Sequence, residues 1–188
     1  MALTTTPPCS QNTLAPDFTL PGADGRKWSL HQCRGPRGTL VIFICNHCPY
    51  VQAIQEQLAQ DTRDLLKLGI ISVAIMPNDI QSYPEDDLAH MKQMAERWQY
   101  PFPYLLDDSQ QVARTYGAVC TPDFFGYNAD LQLQFRGRLN AVTPSRPATP
   151  NMQRELYDAM IQIAETGQGP AQQTPSMGCS IKWRSRTE

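Results

Sequence analysis

Two cysteines lie where an apolar strand is predicted to give way to a helix. Residues 40–44 form a continuous apolar run, which is typical of a buried strand, and Cys45 and Cys48 follow it. After Pro49, apolar residues recur at helical spacing. Proline is favoured at the first helical position, where its missing N–H has no partner to lose. The sequence therefore predicts that Cys48 is the N-cap residue of a helix.

A thiol in that position is a candidate nucleophile. Unpaired backbone N–H groups and the positive end of the helix dipole both favour the thiolate over the thiol. Lowering the pKa of a cysteine from about 8.5 to about 7 raises its thiolate share at neutral pH from roughly 3% to roughly half. The alternative is that Cys45 and Cys48 are small buried hydrophobic residues, as free cysteines often are. That alternative stays open, above all for Cys45 at the end of the strand.

The composition excludes several classes of function. The chain has 188 residues, 41% of them hydrophobic, which suits a single domain with a sizeable core. Its formal net charge is -2, and no basic face stands out, so neither a nucleic acid nor an anionic membrane is expected as a partner. The first residues lack the basic and apolar regions of a secretion signal, and no apolar run has membrane-spanning length. We therefore expect a cytoplasmic protein.

The order of predicted elements indicates an α/β fold. The apolar runs 40–44 and 70–76 flank the first helix, which predicts a βαβ unit with parallel strands. Turn residues at 24–25 and 128–130 predict two hairpins, and Ser82 and Glu85 have the spacing of a capping box ahead of another helix. Pro150 suits the first turn of a closing helix. The expected architecture is a mixed central sheet flanked by helices, with an N-terminal β-hairpin and a C-terminal helix.

Three segments follow from this pattern. Residues 1–13 are polar and contain prolines, which predicts a flexible N-terminal arm. Residues 14–167 form the domain. Residues 168–188 have the composition of a loop and form a C-terminal tail.

Four motifs in sequence order carry a resemblance to a known family. They are APDFTLPGADGRKWSL at 15–30, CNHCPYV at 45–51, YGAVCTPDFF at 116–125 and GCSIKW at 178–183. Together they resemble thioredoxin-fold redoxins, and more narrowly a bacterial peroxiredoxin-like subgroup related to the alkyl hydroperoxide reductase and thiol-specific antioxidant family. The resemblance spans nearly the whole chain and implies a thioredoxin-like fold.

The resemblance also assigns expected roles to individual residues. Cys48 takes the place of the attacking cysteine of thioredoxin's Cys-x-x-Cys motif, while the second position falls on Val51, so the usual resolving thiol is absent. In peroxiredoxins the peroxidatic cysteine aligns with the same valine, and Cys48 replaces its threonine partner. The family further implies that Pro122, preceded by Thr121, has a cis peptide bond, and that Cys120 lies near Cys48.

Three cysteines therefore compete to resolve Cys48. Cys45 is close in sequence, Cys120 is expected near Cys48, and Cys179 lies in a tail that can fold back. Our sequence-based order is Cys45, Cys120, Cys179, with little separation, because the geometry at the strand end can keep Cys45 outside the usual disulfide reach of about 4.4 to 6.8 Å between Cα atoms. His47 is a candidate to stabilise the Cys48 thiolate when it is protonated. A solvent-facing histidine is the alternative.

These residues predict a thiol-dependent oxidoreductase in which Cys48 attacks a protein or small-molecule disulfide, or a peroxide, and a second cysteine resolves the product. Such an enzyme needs no cofactor, only a cellular thiol reductant. One alternative is a noncanonical thiol peroxidase with an antioxidant role, for which neither Arg136 nor Arg138 can be assigned from sequence. Further alternatives are a redox-inert scaffold and a protein that binds zinc or copper through thiolates and imidazole. The metal ligands would come from Cys45, Cys48, His47, Cys120 and Cys179.

Overall fold

The computed structural model describes residues 3–185 of the chain. Its strands are β1 (Leu3–Thr5), β2 (Thr19–Pro21), β3 (Lys27–Ser29), β4 (Gly38–Phe43), β5 (Ile70–Met76), β6 (Tyr104–Leu106), β7 (Cys120–Thr121), β8 (Asp123–Tyr127), β9 (Leu133–Gly137) and β10 (Met177–Ser180). Its α-helices are α1 (Pro49–Gln52), α2 (Gln55–Lys67), α3 (Leu88–Trp98), α4 (Gln111–Tyr116) and α5 (Glu155–Thr166).

A five-stranded mixed sheet in the order β6-β5-β4-β8-β9 forms the centre of the molecule. Strand β4 pairs in parallel with β5, and β5 pairs in parallel with β6. Strand β8 runs antiparallel to both β4 and β9. Every residue of β4 is buried, as expected of a strand covered on both faces. The predicted βαβ unit and the thioredoxin-like α/β fold are thus confirmed.

Side chains alternate along β4 between two cores, one on each face of the sheet. Leu40 and Ile42 pack in the core that contains buried residues of α2, α3 and α5. Val41 and Phe43 pack in the other core, which contains residues of α4 and the β2–β3 hairpin. The central strand is therefore held from both sides, and its end is a fixed point from which the residues of the site extend.

The helix predicted after Cys48 is interrupted. Helix α1 has four residues, and α2 begins only at Gln55. At the break, the N–H of Ile54 bonds to the carbonyl of Val51 at 3.1 Å, three residues back instead of four, and Ile54 has φ -110° and ψ 0°. The buried Ile54 side chain joins the core at this point. A long helix dipole does not extend from Cys48 as the sequence suggested.

Two other helix starts differ from the prediction. Asp87, not Ser82, caps α3 by accepting a hydrogen bond from the N–H of His90. Helix α5 starts at Glu155 and not near Pro150.

Two ion pairs hold the residue that precedes α5. The guanidinium of Arg154 bonds to Asp64 at 3.0 Å and to Asp61 at 2.6 Å, and both carboxylates belong to α2. The segment ahead of α5 is thereby fixed against α2, and the helix begins only after Arg154.

The arm and the tail are joined in a second sheet of order β1-β10-β7. Leu3 pairs with Cys179, and Cys179 also pairs with Thr121 on the other side, both antiparallel. The structure thus differs from the predicted flexible arm, because residues 3–5 of this arm form β1. A three-residue strand shows no periodicity of its own, and its partner lies at the far end of the chain. Within residues 3–185, no helix combines the length and the apolar character needed to cross a bilayer.

Candidate active site

Cys48 occupies the predicted position at the start of α1. Its backbone is extended, with φ -71° and ψ 121°, and Pro49 is the first helical residue. Cys45 lies just beyond the end of β4, and both cysteines are buried, with 0% of Cys48 and 1% of Cys45 exposed. Strand end and helix start therefore bring the two thiols together inside the protein.

The segment around Pro122 packs directly against these thiols. The Thr121–Pro122 peptide bond is cis, as the resemblance implied. In its protonated form, the thiol of Cys48 donates to the carbonyl of Thr121, with 3.1 Å between sulfur and oxygen. The sulfur of Cys45 lies 3.3 Å from the hydroxyl of the same threonine. Thr121 thus contacts both sulfur atoms.

Hydrogen bonds from neighbouring thiols favour the Cys48 thiolate. A hydrogen bond from the Cys45 thiol makes the largest contribution to lowering the pKa of Cys48 from 9.0 to about 5, while burial opposes the change. The thiol and the N–H of Cys179 also favour the thiolate. The N–H of Val51 faces the sulfur as well, without closing a regular capping hydrogen bond. The Cys45 thiol thus contributes more to the lowered pKa than the N–H of Val51 at the start of the helix.

The other cysteines have the opposite shift. The hydrogen bond to Cys48, followed by burial, raises the pKa of Cys45 well above 9.0. Burial is the main cause that raises the pKa of Cys179 to about 12. Burial raises the pKa of Cys9 and of Cys33 to about 11 in each case.

Cys120 lies close to the site but its thiol is directed elsewhere. Its sulfur is 3.6 Å from the carbonyl oxygen of Pro122, to which it donates. Burial raises its pKa strongly. Of the three candidates to resolve Cys48, it is therefore Cys45 and Cys179 whose thiols help to lower its pKa.

His47 is held by a buried carboxylate that the sequence analysis missed. Its Nδ1 atom lies 2.7 Å from Asp86, whose side chain is fully buried. This hydrogen bond is the main cause that raises the pKa of His47. The imidazole ring stacks on Tyr83, with 5.2 Å between the ring centroids. His47 is therefore half-buried and hydrogen-bonded to Asp86, and it is not the solvent-facing histidine of the alternative interpretation.

Asp86 accepts hydrogen bonds from several directions. The backbone N–H of Asn46 is 2.7 Å from it, and the side-chain amide of Asn78 is 2.8 Å away. Burial opposes its ionisation, yet the hydrogen bonds from His47 and Asn78 more than offset burial and lower the pKa of Asp86. Nothing in the local sequence signals this residue, because it approaches the site from the segment that precedes α3.

The donor set for a metal ion is present in part. Ligand atoms of Cys45, His47 and Asp86 lie within 4.8 Å of one another. However, Nδ1 of His47 is already bonded to Asp86, and that carboxylate is occupied by further hydrogen bonds. Cys120 does not belong to the group. The arrangement thus favours a hydrogen-bonded dyad over a metal centre.

The two candidate arginines are engaged in ion pairs. Arg136 lies 2.8 Å from Asp123 in a buried ion pair. Arg138 donates hydrogen bonds to both carboxylate oxygens of Glu155. Burial raises the pKa of Asp123 to about 6, although the Arg136 guanidinium lowers it. Across the described residues, neither arginine hydrogen-bonds to Cys48.

The fold and the site together define a class of protein: a thioredoxin-fold, thiol-dependent redoxin. Comparison with protein families makes the assignment narrower. The model of the AhpC/TSA family matches residues 12–140, and the chain belongs to this family. It is accordingly a thiol-dependent oxidoreductase.

Solved structures agree with the fold. An uncharacterised conserved protein from Geobacillus kaustophilus is 38% identical, with a TM-score of 0.93, over 100% of this chain and 99% of its own. A hypothetical protein from Sinorhizobium meliloti is 35% identical, with a TM-score of 0.90, over 97% of this chain and 100% of its own. The thioredoxin domain of a thiol-disulfide oxidoreductase from Bacteroides vulgatus is 16% identical, with a TM-score of 0.60, over 82% and 98% respectively, and shows the fold alone. No curated protein sequence matches this chain.

Proposed function

We propose that Cys48 is the nucleophile of a thiol-disulfide exchange reaction on a protein or small-molecule disulfide. One observation carries the proposal: of the six cysteines, all within residues 3–185, Cys48 is the one whose pKa is lowered. The thiolate is the nucleophilic form of cysteine, and at neutral pH a thiol of pKa about 5 is almost entirely ionised.

The reaction has two exchanges. The Cys48 thiolate attacks one sulfur of the substrate disulfide, a bond forms between them, and the other substrate sulfur leaves as a thiolate. A second cysteine of the chain then attacks the Cys48 sulfur, and the remaining substrate thiolate leaves. The substrate gains two electrons and the protein loses two. A cellular dithiol or low-molecular-weight thiol returns the protein to its reduced form.

A thiol peroxidase is the second candidate, and membership of the AhpC/TSA family favours it. In that reaction the thiolate attacks a peroxide oxygen and forms a sulfenic acid, which a second thiol condenses to a disulfide with loss of water. Polarising the O–O bond requires a cation or a strong donor near the sulfur. Arg136 and Arg138 are both paired with carboxylates, which supports disulfide exchange over peroxide reduction.

We also propose that the protein works in a reducing compartment, the cytoplasm. The support is that all six cysteines are free, and that Cys45 and Cys179 are close enough to Cys48 to lower its pKa. Thiols so close together remain reduced where glutathione and thioredoxin systems operate.

Turnover with two classes of oxidant tests the proposal. The reduced protein is mixed with a small-molecule disulfide or with hydrogen peroxide, and substrate loss is followed in the presence of a thiol reductant. We expect turnover of the disulfide that disappears in Cys48→Ser. Cys33→Ser is the matched control, because Cys33 is equally buried but belongs to the core on the other face of the sheet. Full disulfide turnover by Cys48→Ser would refute the proposal, and turnover of peroxide alone would favour the second candidate.

A further inference from the structure

Strand β10 covers the sulfur of Cys48. Its residue Cys179 lies opposite Thr121 of β7, the same threonine whose carbonyl contacts Cys48. The thiol and the backbone N–H of Cys179 are among the neighbouring groups that lower the pKa of Cys48. With Cys48 0% exposed and Cys179 5% exposed, a substrate disulfide meets the closed face of β10 before it meets the nucleophile.

The approach of β10 to β7 is unusually close at Gly178. A Cβ atom at this position would lie 2.7 Å from the carbonyl carbon of Thr121 and 3.1 Å from Cδ of Pro122. Side chains larger than hydrogen do not fit there unless β10 moves. Glycine thus permits the strand to press against the residues that flank Cys48.

The pairing of β10 with β7, on the side of the site, is shorter than its pairing with β1. Two residue pairs join it to β7, whereas three join it to β1. Beyond its ends, the hydroxyl of Ser176 bonds to the carbonyl of Pro122 at 2.7 Å, and the N–H of Ile181 bonds to Val119 at 3.2 Å. The hydrogen bonds of Ser176 and Ile181 hold the two ends of β10. The part that can separate from β7 is therefore the short strand between these two residues.

Electrostatics distinguishes the two thiols that contact Cys48. When Cys48 enters a mixed disulfide it loses its charge, and its effect on both neighbours disappears. Cys45 still lies near the buried carboxylate of Asp86, whose negative charge disfavours a thiolate at Cys45. Cys179 instead lies near the ammonium of Lys182, which favours its thiolate. After the first exchange, the surrounding charges therefore disfavour ionisation less at the Cys179 thiol than at the Cys45 thiol.

We propose that Cys179 is the thiol that resolves Cys48, and that β10 leaves the edge of β7 to admit the substrate and returns to complete the reaction. This inference rests on the proposed function of Cys48. It reverses the order expected from sequence, in which Cys45 came first. Cys45 is then the donor that holds the Cys48 thiolate before the reaction.

The two exchanges need no oxidant other than the substrate disulfide. The first exchange releases one substrate thiolate, which takes the proton of the Cys179 thiol. The new Cys179 thiolate attacks Cys48, so that the bond between the two protein sulfurs forms and the bond to the substrate breaks. The second substrate thiolate leaves and is protonated by water. The two cysteines together lose two electrons and the substrate gains two.

Mapping of the bond that remains on Cys48 tests the assignment. The reduced protein and its variants are treated with dithiobisnitrobenzoate, and the Cys48 peptide is analysed by mass spectrometry without reductant. We expect a Cys48–Cys179 bridge, with no thionitrobenzoate adduct on Cys48, in the unaltered protein and in Cys45→Ser. Cys179→Ser should instead keep the mixed disulfide on Cys48.

A Cys45–Cys48 bridge in Cys179→Ser, in place of the mixed disulfide, would overturn the assignment and leave Cys48 as the nucleophile. A Cys48 that remains a free thiol in the unaltered protein and in both variants would refute the proposed function itself.

The movement of β10 has a separate test. Gly178→Ala should push the strand from β7, raise the rate of Cys48 alkylation by iodoacetamide several-fold and slow the second exchange. Ser180→Ala is the matched control, because it lies on the same strand and its side chain makes no hydrogen bond within the described residues. Equal alkylation rates in a folded Gly178→Ala and the control would contradict the movement.

Discussion

Replacing Cys45 by alanine should raise the pKa of Cys48 and leave the fold intact. The change from 9.0 to about 5 corresponds to roughly 5 kcal/mol in favour of the thiolate. The Cys45 hydrogen bond is the largest contribution, and a hydrogen bond to a charged group is worth about 1.5 to 3 kcal/mol. Removing it should therefore raise the pKa of Cys48 by about one to two pH units. Cys45→Ser keeps a donor and should restore part of the effect.

Thiolate absorbance in the ultraviolet, followed against pH, measures this change without requiring a reagent to reach the buried sulfur. The amplitude that disappears in Cys48→Ser identifies the group. A Cys45→Ala protein whose Cys48 titrates at the same pH as the unaltered protein would refute the reasoning. In that case the backbone N–H groups, and not the neighbouring thiol, would set the pKa.

Three further predictions concern stability. Because the folded Cys48 thiol has a pKa of about 5 and the unfolded thiol one near 9.0, its contribution to stability is complete above about pH 9 and is lost progressively as pH falls towards 5. Urea unfolding should therefore show the advantage over Cys48→Ser growing by about 1.4 kcal/mol per pH unit between about pH 6 and 8. A flat difference over that range would contradict the lowered pKa. Asp123→Asn leaves the buried guanidinium of Arg136 unpaired and should cost about 3 to 5 kcal/mol in urea unfolding, and a loss below about 1 kcal/mol would show that the pair contributes little. Oxidation that joins Cys48 to Cys179 closes a loop of about 130 residues and should raise the free energy of unfolding by about 5 kcal/mol, whereas a bridge from Cys48 to Cys45 should add about 2 kcal/mol.

Local patterns in the sequence were sufficient for the central elements. The apolar run before Cys45 and the proline after Cys48 predicted the strand end and the N-cap, and the structure has both. Gly167 ends the last helix as expected, in a left-handed conformation with φ 76°. These signals are strong because they arise from neighbouring residues whose backbone preferences act within one or two turns.

The remaining parts of the site depend on contacts between distant residues. Asp86 reaches His47 across about 40 residues, and its burial leaves no local trace in a polar segment. Strand β1 pairs with β10 from the other end of the chain, and neither has an alternating apolar pattern. The same holds for the role of Cys45, since a thiol that donates to another thiol requires a geometry that spacing alone does not specify.

The position of β10 as the last strand along the chain has a consequence during synthesis. Strands β4 to β9 can emerge from the ribosome and pair while the residues that form β10 are still within it. A nascent domain without β10 lacks the hydrogen-bond donors of Cys179, and its Cys48 is no longer covered by this strand. We expect glutathione disulfide to exchange with Cys48 on such nascent chains, forming a mixed disulfide and releasing one glutathione thiolate, more readily than on the finished protein.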